Sequence, residues 1–119
     1  MTRILIHLAT GPEIPTRAAL ALLVARTAAE EGSDVRVFIA GDGVQLVRPA
    51  TASATHGVGT GNFAEHWEAL VQRGVPIFVS GMSSKARGID AETAAGAVEL
   101  APPAKLVELA TWADATLTY

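Results

Sequence analysis

The segment PIFVSGMSSKARGID, Pro76 to Asp90, carries the residues of this chain best suited to chemistry. An apolar run, Ile77 to Val79, stops at Ser80-Gly81 and leads through Ser83 and Ser84 to Lys85, Arg87 and Gly88. That pattern predicts a buried strand delivering its end into a small cationic turn. Such a turn has two uses. Gly81 relieves backbone crowding, so the amides opening a short helix can point at a carboxylate, phosphate or sulfur oxyanion, helped by Lys85 and the helix dipole. The plainer use is that Ser80 or Ser83 only caps that helix. Ser80, Gly81, Met82, Ser83, Ser84 and Lys85 are therefore the candidate ligand-binding set.

Other chemistries fit less well. A serine nucleophile needs a histidine or lysine base within hydrogen-bond reach, and VSGMSS lacks the G-x-S-x-G pattern of a nucleophile elbow, so no catalytic residue is assigned. His7, on an expected strand, reads as a hydrogen-bonded core histidine rather than a general base. His7, His56 and His66, even with Asp42, have no recognisable ligand spacing, and no metal or cofactor is expected. GVGTG, Gly57 to Gly61, does not directly follow a strand and satisfies neither G-x-G-x-x-G nor a P-loop, which leaves a flexible flap. Arg87 reads as structural. Trp67 and Trp112 read as core or subunit-interface anchors, since both lie in amphipathic helical segments.

Bulk composition narrows the partners. The net charge of -3, with 18% charged residues, supplies no basic field for a nucleic-acid backbone or an anionic membrane. The absence of cysteine removes disulfides, thiolate metal sites and persulfide carriage from this chain. The longest apolar block, Ala18 to Ala25, falls far short of a membrane span, and Met1-Thr2-Arg3 leads into a strand-like run rather than a secretory signal, so the expected location is cytoplasmic. Half of the residues are hydrophobic but only 5% are aromatic. A domain of this size hides that much alanine, leucine and valine with difficulty, which makes a homo-oligomer the natural outlet.

The elements that must position the site follow from periodicity. RILIHLA, Arg3 to Ala9, reads as a strand; Pro15 to Glu31 as a helix ending at Gly32; DVRVFIA, Asp34 to Ala40, as a second strand turned by Gly41 to Gly43. A short helical piece is expected over Val44 to Val47. Pro49 to Asn62 has no period able to bury a face and reads as a mobile loop. Phe63 to Gly74 reads as a helix, followed by the strand ending at Ser80. Gly96 to Leu100 is expected as a fourth strand, Pro102 to Ala113 as a helix and Ala115 to Tyr119 as a last strand. This alternation implies one α/β domain over 1–119, a three-layer sandwich with a mainly parallel sheet and helices on both faces. Ligands then sit beyond the carboxyl ends of the strands. The loops Thr10 to Thr16, Gly41 to Val44 and Ser80 to Arg87 should gather at one rim, with His7, Thr10, Asp42 and Gly43 as its further candidates.

The blocks ILIHLATGPEIPTRAALAL, GSDVRVFIAGDGVQLV, LVQRGVPIFVSGMSSKARGI and PPAKLVELATWADATLTY, in this order and spacing, resemble the DsrE/DsrF-like family, whose members include sulfur-relay subunits. They cover most of the chain outside the glycine-rich loop. The resemblance implies a five-stranded, mainly parallel sheet and assembly into trimers or hexamers. It also implies a functional position, because sulfur-carrying members have a cysteine at the end of the strand in the third block. Counted back from RGI, that position is Ser80, and cysteine stands in some relatives at the place of Ser83. Serine occupies both here, and a hydroxyl cannot carry a persulfide. Three functional readings follow: a non-enzymatic homo-oligomer holding a small anion at the Ser80 rim; a cysteine-less subunit of a sulfur-relay complex with cysteine-bearing DsrE-like partners; or a small serine- or histidine-dependent hydrolase or transferase.

Overall fold

The computed structural model describes residues 1–94 and 97–119. Aliphatic runs become strands where both of their faces are covered. β1 (Arg3–Leu8), β2 (Asp34–Ile39), β5 (Ile77–Ser80), β6 (Glu99–Ala101) and β7 (Ala115–Thr118) form a five-stranded sheet in the order β6-β5-β2-β1-β7. Every pairing in it is parallel, with His7 beside Phe38, Phe38 beside Phe78 and Ser80 beside Ala101. The remaining elements are α1 (Pro15–Glu30), a 3-10 turn (Gly41–Val47), α2 (Pro49–Ala54), β3 (His56–Gly57), β4 (Gly61–Asn62), α3 (Phe63–Gln72), α4 (Gly81–Ala86), a second 3-10 turn (Ala91–Ala94) and α5 (Pro103–Trp112).

The pleat divides the apolar side chains between two cores. Ile6, Leu8, Val37, Ile39, Ile77 and Val79 face α1, α3 and the first 3-10 turn, where Leu22, Val44, Phe63 and Leu70 are also buried. Leu5, Phe38 and Phe78 face the other way and pack on Leu109 of α5, with Leu106 and Ala113 at its margin. The sheet is therefore a middle layer with helices on both sides, as the alternation of elements implies. Among the described residues the second face is covered by α5, ten residues long.

Several local expectations change. The helical piece expected over Val44 to Val47 begins earlier, as a 3-10 turn from Gly41. The segment Pro49 to Asn62, expected as a mobile loop, is ordered: Pro49 opens a six-residue helix and the rest is an antiparallel hairpin. Contacts remote in sequence hold that hairpin. The Val58 amide donates to Thr16 Oγ1 at 3.0 Å, Thr60 Oγ1 donates to the Thr16 carbonyl at 3.2 Å, and a His66 ring nitrogen meets the Thr60 carbonyl at 2.7 Å. The strand expected over Gly96 to Leu100 is seen at Glu99–Ala101, and Gly96 lies outside the described residues.

Candidate functional site

β5 ends at Ser80 because α4 begins at the next residue, and the serine hydroxyl is what joins the two. Ser80 Oγ accepts the Ser83 amide at 3.1 Å, capping α4, and the residue is 8% exposed. Ser83 in turn ties α4 to the neighbouring loop, its Oγ accepting the Gly41 amide at 3.0 Å. Arg87 closes the same joint with a 2.9 Å ion pair to Asp42 and a 3.1 Å bond to the Ser83 carbonyl. Arg48, which also bonds Gln45, donates to the Arg87 carbonyl at 2.8 Å.

The loop after β1 enters the same cluster. Gly11 approaches so closely that an added Cβ would stand 2.4 Å from the Asp42 carbonyl oxygen. The Gly11 amide donates to Glu13 Oε1 at 2.8 Å. Gly43 is buried, its missing Cβ 2.9 Å from the Leu8 carbonyl oxygen and 3.3 Å from that of Thr10. The loops after β1, β2 and β5 therefore meet at one rim, and backbone approach explains the glycines there.

The chain leaving β5 enters α4, which packs on the 3-10 turn on the α1 side, whereas the chain leaving β6 enters α5 on the opposite side. The two strand ends stay close: an added Cβ on Gly81 would lie 3.7 Å from the Ala101 carbonyl oxygen. Carrying the register on by one residue sets Ala40 beside Ser80, so small side chains floor the rim on the α5 side.

Other predicted residues fall outside this constellation. Lys85 is exposed and stands in the last turn of α4, where it complements the carboxyl end of that helix. Met82 is exposed, whereas Ser84 is fully buried with a hydroxyl that has no partner among the described residues. Thr10 is half-buried in the loop after β1. His7 lies on β1, separated from β5 by β2, and no histidine bonds Ser80 or Ser83 among the described residues.

His7 departs from the expected hydrogen-bonded core histidine: its Nε2 is buried without a partner among the described residues, and its ring meets Phe38 edge-on at 6.2 Å. Desolvation holds its pKa below the ordinary 6.5. No cluster of three metal-ligating side chains occurs among the described residues. An apolar groove of about 340 Å³ between α2 and α3, lined by Pro49, Trp67 and Val71, shares no residue with the rim.

Gly11 and Glu13 lie in the Thr10 to Thr16 loop expected at the rim but were not singled out within it, and Arg48 and the neighbouring Ala101 fall outside the expected set. The Gly11-Pro12 turn was the available signal for the first two. Nothing local marks Arg48 or Ala101, because their places depend on the strand order.

The DsrE/DsrF-like family model matches residues 2–119. The chain belongs to this family. Among solved structures it is similar to the ychN protein of E. coli, at 24% identity and a TM-score of 0.81 over 100% of both chains. It is also similar to MTH1491 of Methanobacterium thermoautotrophicum, a protein of unknown function, at 17% identity and a TM-score of 0.73, again over 100% of both chains. These likenesses establish the shared fold. No curated protein matches the sequence. Within the DsrE/DsrF-like fold this chain has no cysteine, and no described helix is long and apolar enough to cross a membrane.

Proposed function

We propose that this chain is a self-assembling member of the DsrE/DsrF-like family that binds a small anion at the Ser80 rim and does not itself carry sulfur. One observation carries the reading. The strand end that the family resemblance assigns to the carrier cysteine holds Ser80, with its hydroxyl engaged as a helix cap. A capped serine has neither the nucleophilicity nor the redox chemistry of a thiolate. What it retains is one O–H donor, beside Ser83, Gly81 and a rim of backbone amides, which suits an oxyanion. Self-association is supported by the thin cover on the α5 side and by exposed Val107 and Leu117.

Family membership favours a second reading, in which the chain is a cysteine-less subunit seated beside a cysteine-bearing relative. The two readings separate experimentally. Titration of the ¹⁵N-labelled protein with inorganic phosphate and with sulfite is expected to move the amides of Gly81 to Lys85 saturably. Intact-mass measurement after exposure to a sulfane-sulfur donor is expected to find no added sulfur. Unmoved rim amides would refute anion binding, and a covalent sulfur adduct would refute the whole reading. Stable co-purification with a cysteine-bearing DsrE-like protein would favour the relay subunit.

A further inference from the structure

We propose that Asp42-Gly43 is a site of spontaneous backbone isomerisation, held back in the folded protein by the ion pair to Arg87. Nowhere else in the sequence does an aspartate or asparagine precede glycine. In such a pair the glycine amide nitrogen can attack the carboxyl of the residue before it, because no glycine side chain shields that nitrogen. A bond forms from Gly43 N to Asp42 Cγ, water leaves, and a five-membered succinimide closes. Hydrolysis returns the water at either carbonyl. Opening at the Asp42 α-carbonyl leaves the main chain running through the side chain as isoaspartate, with mass unchanged and no oxidant or reductant consumed.

Two features of the fold restrain this step. The Asp42 side chain is 64% exposed, yet its carboxylate is paired with Arg87 at 2.9 Å. Closure expels water from a neutral carboxyl, so an ion-paired carboxylate is a poor electrophile, and the pair also holds Cγ toward Arg87. The second restraint is the backbone. Gly43 N donates to the Ala40 carbonyl at 3.0 Å within the 3-10 turn Gly41–Val47. The helical ψ of such a turn keeps each amide nitrogen away from the preceding side chain, so the turn must open locally before the ring can close.

Packing explains why so reactive a dipeptide stands here. Gly43 is buried, and a Cβ on it would lie 2.9 Å from the Leu8 carbonyl oxygen, so no other residue fits after Asp42. The product would also strike the joint of the rim. The Asp42 carbonyl is the group that Gly11 approaches, and the neighbouring Gly41 amide donates to Ser83 Oγ at 3.0 Å. A methylene inserted into the main chain between Asp42 and Gly43 displaces both contacts. This inference goes beyond the proposed function and does not depend on what the rim binds.

The test incubates the full chain at neutral pH, labels it with an isoaspartyl methyltransferase and radioactive S-adenosylmethionine, and locates the label by digestion. Folded Arg87→Gln should gain label at Asp42 several-fold faster than wild type, with Asp34, Asp90 and Asp114 unlabelled. Its Gly43 amide should keep wild-type protection against hydrogen exchange. In urea the two proteins should label equally, and wild type should label faster than when folded. Asp42→Glu, folded by circular dichroism, should take no label. Absence of label at Asp42, equal folded rates for wild type and Arg87→Gln, or a difference that persists in urea would overturn the proposal. An acceleration matched by equal loss of Gly43 protection would overturn it too, because opening of the turn would then be the cause. Should Arg87→Gln fail to fold, the wild-type comparison still decides: equal labelling folded and in urea would show that the fold restrains nothing.

Discussion

Replacing Ser80 by alanine tests whether the hydroxyl at the end of β5 holds the rim together. Its oxygen accepts the Ser83 amide at 3.1 Å in a position only 8% exposed. Loss of a serine N-cap costs about 0.5–2 kcal/mol, with exposed caps at the low end because water takes over the amide. Water has little access here, and a buried donor left without an acceptor costs about 1–3 kcal/mol. The overlap of these ranges sets an expected loss of about 1.5 kcal/mol. With an unfolding entropy of about 2.1 cal/mol/K per residue, that loss lowers the melting temperature by about 6 °C. Equilibrium urea unfolding, read by circular dichroism, measures it directly, and the dependence on urea should be unchanged since the surface exposed on unfolding is the same. A loss below about 0.3 kcal/mol would mean that the hydroxyl is not the support of α4, and the account of the rim would fail with it.

Two further perturbations probe neighbouring parts of the same rim and sheet. Gly11→Ala drives a methyl to within 2.4 Å of the Asp42 carbonyl oxygen, so the two loops must separate at a cost of about 1–3 kcal/mol, measurable by urea unfolding; an unchanged midpoint would contradict the close approach. For His7 the sign is set by burial: its folded pKa lies below 6.5, so the unfolded chain binds the proton first as pH falls. His7 therefore costs nothing above that range and subtracts stability progressively as pH drops through 6.5 toward the lowered folded value. His7→Leu should flatten this part of the stability–pH curve, and an unaltered slope would assign the acid sensitivity elsewhere.

What was legible in the sequence divides along a physical line. Arg3 to Ala9, Asp34 to Ala40 and Ile77 to Ser80 announce themselves because aliphatic residues dominate strands covered on both faces, and α1 because its small residues recur on the face that covers the sheet. Pro49 to Asn62 does not, since its order depends on Thr16 and His66, partners that local pattern cannot supply. The rim follows the same division. A strand halted at Ser80-Gly81 is a local signal, but that Ser83 reaches Gly41 and Arg87 reaches Asp42 is a consequence of β5 lying beside β2.

The serine at position 80 then has a reason of its own. The first turn of α4 needs a short side-chain acceptor for the Ser83 amide, and a hydroxyl oxygen serves that need far better than a thiol, a weak acceptor. Oxygen in place of sulfur at this strand end therefore does two things at once: it withdraws persulfide chemistry from the chain, and it fixes the start of α4, whose Ser83 and Arg87 then tie that helix to the loop after β2.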